Sequence, residues 1–409
     1  MRSDMAQIEF SMIPDDEEDV RTMTAMLGDF ERLTGIQVRL RTMQWSTAWP
    51  DLLTIASRNA GPDVSHVGGT WVSSLAAMNA LRSFRLVEVQ EMGGARAFLN
   101  PAWQTVFLNG DDHIWSIPWT GYAYFICYRR DLLAQAGITS FQEAFRNHQA
   151  VFATVQHLIH SRLAVPWVVS HYPPPYSDLV HIAASWLWAS GGDFISPDGK
   201  RCLLSEEAAI AGLTYLVDLF RAVPKKYARI SPAGVVELFA KGEAAAILTN
   251  NRAVESVIMT SKEPEVRENL ALANLTETPW CSGGNFIVWK HSMNDPERER
   301  GAVSLVKYLT ARDSEIRWGR TVHSLMARLE AVEQLYPEKH PFYPVIQHLA
   351  QHGRAYPAMP LWRRIEYQIG QTLATILEEA RQSPRVDSGT ILRQHLLPLT
   401  EQVNRLLQD

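Results

Sequence analysis

The stretch IWSIPWTGYAYFICYRRDLL, residues 114–133, is the most informative one for the fold. In it, an uncharged segment rich in aromatic residues is followed directly by charged residues. Its first fifteen residues carry no charge and six aromatic rings, and two arginines and an aspartate follow soon after. A membrane-spanning helix needs roughly 20 mostly apolar residues, and this run is shorter and is interrupted by Pro118 and Gly121. The rings are therefore predicted to belong to a core or to the wall of a binding site.

Chain length and composition predict a globular protein of two lobes. The 409 residues exceed the roughly 250–300 at which a single core stops growing. A net charge of −5 without a basic patch argues against nucleic acid or an anionic membrane surface as a partner. Cys127, Cys202 and Cys281 are far apart and odd in number, so they predict neither a disulfide framework nor a metal pair.

Strands and helices alternate along the first seventy residues. Residues 6–14 predict a strand, the acidic run 15–19 opens a helix that Gly35 ends, and residues 36–43 predict a second strand. A second helix is predicted over 49–57 and a turn with a third strand over 61–69. Acidic residues in the first turn of a helix interact favourably with the helix dipole, so no cation site is assigned to them. This order predicts an α/β layer with a mostly parallel sheet.

The alternation continues through the rest of the chain. Ser205 is expected to cap a helix that buries Ile210 and Phe220, and Ser231 with Pro232 opens another before the strand 244–249. Residues 294–318 predict one amphipathic helix, and two long helices are expected near 363–381 and 389–407.

No sequence motif for catalysis or for a cofactor is present. The chain has no GxGxxG after a strand, no Walker loop, no HExxH, no paired CxxC and no GxSxG. His171, Asp178 and His181 flank a run of prolines, and their spacing does not bring them to one helical face. No catalytic residue, cofactor or metal is therefore predicted, although sequence alone cannot pair two glycosidase carboxylates across a cleft.

Seven stretches in a fixed order carry a family resemblance. They are LGDFERLTGIQVRL (27–40), GPDVSHVGGTWVSSL (61–75), IPWTGYAYFICYRRDLLAQAGI (117–138), WLWASGGDF (186–194), LFAKGEAAAILTNN (238–251), WCSGGNFIVWKHS (280–292) and RAYPAMPLWRRIEYQIG (354–370). Together they resemble the extracellular solute-binding proteins of ABC transporters, the large family that includes maltose-binding protein. The resemblance covers most of the chain, but residues 322–331 replace a stretch where a G-x-x-P turn is common in the family, and the segment 170–178 is not part of the family pattern.

The resemblance implies a two-lobed, type II periplasmic-binding-protein fold of the α/β class. Each lobe would be a mixed, mostly parallel sheet flanked by helices, and a hinge of three crossings would let the lobes close over a ligand. Residues 1–118 plus 284–322 are predicted to form lobe one, and residues 119–283 plus 323–409 lobe two. Pro118 and Trp119 would be the first crossing, and Tyr124 to Tyr128 the first strand of lobe two.

Candidate ligand contacts come from the rule that open α/β sheets bind ligands beyond the carboxyl ends of their strands. Aromatic plates and polar tips suit the C–H faces and hydroxyls of a pyranose. After strands, the rule selects Asp15, Gln44, Trp45, Thr70, Trp71, Asn250 and Asn251. Beside the crossings and in the helix before Gly191 lie Trp119, Trp186, Trp280, Ser282 and Asn285. Arg354, Tyr356 and Trp362 lie where the family often places late contacts. Core packing is the competing interpretation for every tryptophan.

The resemblance implies a binding function in which no reaction is catalysed. The chain would be the substrate-binding component of an ABC transporter, a monomer that captures a carbohydrate and delivers it unchanged to membrane permease subunits. A periplasmic or extracellular place is expected, although the first twenty residues lack the apolar core of a secretory signal. The alternatives are a stand-alone sensor of the same fold, a receptor for a polyamine or a metal complex, and an enzyme acting on glycosides.

Overall fold

The computed structural model of the protein describes residues 7–172, 174 and 176–408. Its strands are, in chain order, β1 (Gln7–Met12), β2 (Gln37–Thr42), β3 (Val64–Gly68), β4 (Leu81–Arg82), β5 (Ile117–Arg129), β6 (Val168–Val169), β7 (Ala246–Asn250), β8 (Leu270–Asn274), β9 (Cys281–Trp289) and β10 (Leu325–Met326). Its α-helices are α1 (Glu17–Thr34), α2 (Ala48–Arg58), α3 (Val72–Ala77), α4 (Leu86–Glu91), α5 (Asn100–Trp103), α6 (Arg130–Gln135), α7 (Phe141–Ala144), α8 (His148–Ile159), α9 (Ser177–Ala189), α10 (Glu207–Arg221), α11 (Pro232–Ala240), α12 (Asn251–Ala253), α13 (Pro264–Asn269), α14 (Pro296–Leu309), α15 (Arg312–Val322), α16 (Leu329–Leu335), α17 (Tyr343–His352), α18 (Trp362–Gln382) and α19 (Ser388–Gln408).

The chain folds into two units, each assembled from separate segments. Unit one holds the described residues up to Tyr122 together with Cys281–His340 and Ala355–Arg363, and unit two holds Ala123–Trp280, Pro341–Arg354 and the described residues from Arg364 onward. Both units are layers of helices on a mixed sheet. The predicted α/β class is therefore confirmed.

In unit one, β1 is the centre of the parallel part of the sheet. It pairs in parallel with β2 and with β3, and β9 then pairs antiparallel with β3 and with β4. Phe10 in β1 and Phe286 in β9 are buried and meet edge to face at 5.7 Å. The carboxyl ends of β1, β2 and β3 consequently lie along one edge.

In unit two, the second half of β5 pairs antiparallel with β7 and with β8, and β6 pairs in parallel with β7. Helices α9, α10 and α19 pack beside one another in this unit. Gly212 in α10 makes the contact with α9 possible, since a Cβ there would lie 2.5 Å from the carbonyl oxygen of Trp186.

The acidic run after β1 acts as a helix start, as predicted. The Asp16 side chain accepts hydrogen bonds from the backbone N–H groups of Glu18 and Asp19, which satisfies two of the orphan donors of α1. Gly35 ends the helix with φ at +73° and donates to the Glu31 carbonyl, the conformation that glycine adopts at lowest cost.

Two helix predictions are wrong in detail. Residues 294–318 form parts of two helices, α14 and α15, because Ala311 is extended (φ −67°, ψ 148°) and stops the first. Helix α10 begins after Glu206, whose backbone is extended, so the predicted cap Ser205 lies one residue too early.

The division of the chain differs from the predicted one. Residues 323–340 and 355–363, predicted in lobe two, belong to unit one, as do residues 119–122 and 281–283. Strand β10 pairs with β5 at Thr120 and Gly121, and the hydroxyls of Ser73 and Ser74 donate to the carbonyls of Met359 and Pro360. The predicted crossing at residues 118–119 lies inside the continuous strand β5, which passes from unit one to unit two after Tyr122.

No helix in the described part of the chain is both long and apolar enough to span a bilayer.

Candidate functional site

The carboxyl edge of unit one carries a pair of indoles held by a carboxylate. The Trp45 indole N–H donates to Asp15 Oδ1 at 2.8 Å, and its ring meets the Trp71 ring edge to face at 5.7 Å. Trp45 is 42% exposed, whereas Trp71 is buried. The structure thus brings together three residues that the strand-end rule selected, namely Asp15, Trp45 and Trp71. Of these, Trp45 presents a ring of fixed orientation to solvent.

Two further residues extend this pair, and the sequence analysis did not select them. Trp49, from the first turn of α2, meets Trp71 at 5.7 Å, and the Arg363 guanidinium lies 5.9 Å from the centre of the Trp71 ring. The sequence analysis placed Trp49 only at the start of the predicted helix 49–57. Its place in the first turn of the helix that follows the end of β2 is the signal that could have found it.

A neutral histidine lies beneath the exposed indole. His66 is buried in β3, with ring contacts to Trp45 at 6.1 Å and to Trp119 at 4.9 Å. Burial lowers the pKa of His66 to about 3, because desolvation penalises the charged imidazole. The alternation of side chains along a strand could have identified His66, because it lies two residues before Gly68, the last residue of β3, and therefore on the same face of the strand.

Trp119 belongs to the core of unit one. Its ring is buried and packs on Phe286 at 4.6 Å and on Trp318 at 4.7 Å. This is the packing role that competed with ligand contact in the sequence analysis. A ligand contact for Trp119 stays a prediction.

The polar candidates of unit one divide into buried and accessible groups. Asn285 is buried and its amide donates to the hydroxyls of Thr105 and Ser116 at 2.9 and 2.8 Å, so it holds loops to β9. Ser282 is buried too, and its hydroxyl would lie 3.1 Å from a Cβ added at Gly69. Gln44 is exposed, and Thr70 is partly exposed.

The late candidates Tyr356 and Trp362 lie together in unit one. Their rings are 4.3 Å apart and both are buried. The hydrogen bonds from Ser73 and Ser74 anchor the loop between them to α3.

In unit two, the asparagines after β7 have structural partners. Asn250 Oδ1 accepts the N–H of Ala253 and caps α12, and Asn251 Oδ1 accepts the N–H of Ala123 at 3.2 Å. Asn251 is buried. Both amides therefore fix the backbone at the end of β7.

The tryptophans of unit two differ in their surroundings. Trp186 is fully buried and packs near Tyr215. Trp280 stacks on His181, with ring centres 3.9 Å apart and an angle of 7°, and lies 6.3 Å from Tyr124. The backbone N–H of Trp280 donates to the Ser185 hydroxyl at 2.8 Å. His181 was considered only as a metal ligand in the sequence analysis and instead stacks on an indole.

Arg354 is the accessible polar candidate of unit two. Its guanidinium lies 4.6 Å from the centre of the Trp188 ring and forms an ion pair with Asp193. Asp193 was missed by sequence analysis, although it directly follows the Gly191–Gly192 turn that ends α9.

Neither a cluster of three or more metal-ligating side chains nor a disulfide is found in the part of the chain that the structure describes. Within it, no three His, Cys, Asp or Glu side chains group as metal ligands would. Cys127, Cys202 and Cys281 are buried thiols outside any disulfide, and burial raises the pKa of Cys281 to about 12.

Comparison with known proteins assigns the family. Residues 14–316 match the family described as bacterial extracellular solute-binding protein. This chain belongs to that family. The match confirms the resemblance carried by the seven stretches, and the family and fold of this solute-binding protein are those of transport binding proteins rather than of enzymes. Comparison with curated protein sequences gives no match.

Solved structures similar to this solute-binding protein cover nearly its whole length. Maltose-bound MalE3 of T. maritima has a TM-score of 0.77 at 19% identity, over 96% of this chain and 99% of that one. The sugar-binding protein MalE of Xanthomonas citri has a TM-score of 0.79 at 15% identity, over 98% of both chains. A solute-binding protein of Thermotoga lettingae bound to α-D-tagatose has a TM-score of 0.76 at 17% identity, over 98% and 100%. At sequence identities of 15–19%, the similarity to these structures shows a shared fold.

Proposed function

We propose that the protein is the carbohydrate-binding component of an ABC transporter. The observation that carries the proposal is the exposed indole of Trp45, oriented by Asp15 and backed by Trp71. A flat apolar plate next to a carboxylate suits a sugar ring, whose C–H faces stack on aromatic rings while its hydroxyls donate to acidic oxygens. Similar structures support the proposal, since they hold maltose, tagatose and, in a solute-binding protein of Agrobacterium radiobacter, ribitol.

The proposal covers the transport cycle as well as the ligand. The protein acts as a monomer outside the cytoplasmic membrane, binds the sugar without altering it and delivers it to permease subunits. The family assignment supports this part of the proposal. No covalent step is assigned to any residue, and a bound sugar should be recovered unchanged from denatured protein.

The proposed contacts are graded by exposure. Asp15, Trp45, Trp71, Gln44, Thr70 and Arg354 are the candidates we expect to touch the ligand, because they form or border accessible plates and polar tips. Ligand contact stays a prediction for a second group, most of whose members are buried and several of which already fix backbone: Trp119, Trp186, Asn250, Asn251, Trp280, Ser282, Asn285, Tyr356 and Trp362.

A thermal-shift screen against sugars, peptides, polyamines and metal ions tests the proposal. A ligand at 100 times its dissociation constant adds about 2.7 kcal/mol to the free energy of unfolding. We expect stabilisation by one or more mono- or oligosaccharides. Stabilisation by polyamines or metal ions with no response to any sugar would show the carbohydrate assignment to be wrong.

Substitution of the exposed indole tests the site. Trp45→Ala should weaken binding of the sugar found in the screen about 5- to 30-fold, because a stacked aromatic plate contributes of the order of 1–2 kcal/mol. Trp45→Tyr should restore most of the affinity. Calorimetric titration measures both.

The matched control is Leu86→Ala, which removes an exposed apolar side chain elsewhere on unit one and should leave the affinity unchanged. Equal affinities for Trp45→Ala and the wild type would remove Trp45 from the site while leaving the screen result intact.

A further inference from the structure

The last turn of α17 in unit two carries two histidines on one face. His348 and His352 are four residues apart, about one helical turn, so their side chains are neighbours on the helix surface. Their ring centres lie 4.6 Å apart, and the ring planes meet at 39°. His352 is exposed and His348 is partly exposed. Both rings are therefore accessible to ions in solution.

We propose that His348 and His352 form a binding site for a divalent transition-metal ion such as Zn²⁺. The inference goes beyond the proposed function, because neither residue is a candidate sugar contact. Two histidines at this spacing on one face of a helix are Zn²⁺ ligands in metalloprotease sites. Imidazole nitrogens bind Zn²⁺ at about 2.0–2.1 Å, so two nitrogens that share one ion lie up to roughly 4 Å apart. Rings with centres 4.6 Å apart can meet that distance.

A hydrogen bond to the backbone fixes the orientation of His348. Its Nε2 lies 3.1 Å from the carbonyl oxygen of Glu277. Because a carbonyl oxygen only accepts, Nε2 carries the proton, and Nδ1 of the neutral ring keeps the lone pair that a metal ion needs. A ligating histidine usually donates its other ring N–H to such an acceptor, which makes the ligating nitrogen more basic. The contact with Glu277 is therefore the one expected behind a metal ligand.

The surroundings of the pair favour a bound cation over bound protons. Burial lowers the pKa of His348, so its imidazole is neutral and able to bind a metal ion at neutral pH. The pair also lies at the C-terminal end of α17, where the negative end of the helix dipole stabilises positive charge.

Solvent would complete the coordination of the ion. The Glu277 carboxylate is held by His148, whose backbone N–H and Nδ1 each lie 2.8 Å from one of its oxygens. Among the described residues, no third histidine, cysteine or carboxylate joins the pair. Two protein ligands and water molecules make an open site, which should bind its ion reversibly and more weakly than a structural zinc site with four protein ligands.

An ion at this site would strengthen the link between α17 and the segment that precedes β9. His348 is bonded to the Glu277 carbonyl, and the backbone N–H of Arg354 donates to the Pro279 carbonyl at 2.9 Å. Because the pair is held in this geometry only in the folded chain, a bound ion should raise the free energy of unfolding.

Calorimetric titration of the full chain with Zn²⁺ tests the inference, after removal of any affinity tag and of bound metal by a chelator. We expect saturable binding of Zn²⁺ at pH 7.5. Mg²⁺ and Ca²⁺ should not compete, since these hard cations prefer oxygen ligands. At pH 5.5 the affinity should be about 10-fold lower or less, because protons compete for the imidazoles. Competition by Mg²⁺, or an affinity that is unchanged at pH 5.5, would indicate carboxylate ligands and overturn the inference.

Two conservative substitutions locate the ion. His348→Gln keeps a side-chain N–H for the Glu277 carbonyl but removes the imidazole, and His352→Gln removes the exposed ligand. Each should lower the Zn²⁺ affinity about 10-fold or more. Electron paramagnetic resonance of bound Cu²⁺ should show two coupled imidazole nitrogens in the wild type and one in each variant. Unchanged Zn²⁺ affinity and an unchanged Cu²⁺ spectrum in His352→Gln would overturn the inference.

His157→Gln is the matched control. His157 is an exposed histidine of α8 in the same unit, and its Nε2 lies 2.7 Å from the carbonyl oxygen of Ala136. The variant should bind Zn²⁺ and Cu²⁺ as the wild type does, and a loss as large as that in His348→Gln would place the ion elsewhere and overturn the inference. Failure of every sugar to bind would refute the proposed function alone, whereas Zn²⁺ binding that is insensitive to both His348→Gln and His352→Gln would refute the metal site alone.

Discussion

At the scale of the residue, His66 couples the stability of unit one to pH. Its pKa is lowered from 6.5 to about 3 by burial, and the rings against it, Trp45, Trp119 and Phe286, carry no titratable group. Above pH 6.5 the imidazole is neutral in both the folded and the unfolded chain, so it contributes no pH dependence. As the pH falls below 6.5, only the unfolded chain gains the proton, and the free energy of unfolding drops until the pH nears 3.

We therefore expect His66 to cost about 1.4 kcal/mol of stability per pH unit across that window. Urea unfolding of the wild type and of His66→Phe at pH 7, 6 and 5 measures it, since the variant keeps an aromatic ring and cannot be protonated. The two stability curves should diverge as the pH falls. Parallel stability curves for the wild type and His66→Phe would contradict the lowered pKa of His66.

At the scale of the element, two glycines inside helices have opposite roles. A Cβ added at Gly28 in α1 would meet nothing within 4 Å, whereas one at Gly212 in α10 would lie 2.5 Å from the Trp186 carbonyl. Gly28→Ala should raise the free energy of unfolding by about 1 kcal/mol, through helix propensity alone. Gly212→Ala should lower it by about 1–3 kcal/mol or more, because α9 must move away from α10.

Chemical denaturation of both variants beside the wild type measures this pair, and each variant is the control for the other because the chemical change is identical. Stabilisation by both substitutions would show that α9 and α10 are not packed backbone to backbone. Sequence alone offered no distinction, since each glycine simply interrupts a helical pattern.

Helix and strand prediction succeeded where a local cause was present in the sequence. Several helix ends are capped by the side chain or backbone of a residue that the sequence shows directly, and the boundaries near these residues were predicted correctly. The residues are Asp16, Gly35, Ser231 and Asp295. The break at Ala311 has no such residue, and the prediction ran through it. Likewise, exposure separates Trp45 from the buried Trp186, although both are indoles at plausible positions, because exposure depends on neighbours that are remote in sequence.

At the scale of the whole molecule, the unit to which each segment belongs was harder to predict than the helices and strands within the segment. Local patterns predicted the α/β class and the resemblance predicted the family, but residues 323–340, predicted in lobe two, lie in unit one. Their place depends on the pairing of β10 with Thr120 and Gly121 and on Arg328, which donates to the carbonyls of Thr310 and Met92. Such long-range pairs leave no periodicity in the sequence. The ion pair between Asp193 and Arg354 is of the same kind, since the two residues are separated by 161 residues.

The interleaved segments also predict how the molecule must fold. Unit one lacks β9 until residue 281 has been made, and β9 pairs with β3 over five residue pairs from Val64 to Gly68. A fragment of residues 1–122 would therefore expose one side of β3 and the apolar surface that Phe286 and Trp289 cover, and would lack α14. Because open strand edges and lost core area cannot be compensated within the fragment, we expect no cooperative unfolding and a poorly dispersed amide spectrum. The full chain, measured under the same conditions, should show a cooperative transition. A well-dispersed spectrum for the fragment would mean that β1, β2 and β3 with their helices are stable alone, and that β9 adds to a finished sheet rather than completing it.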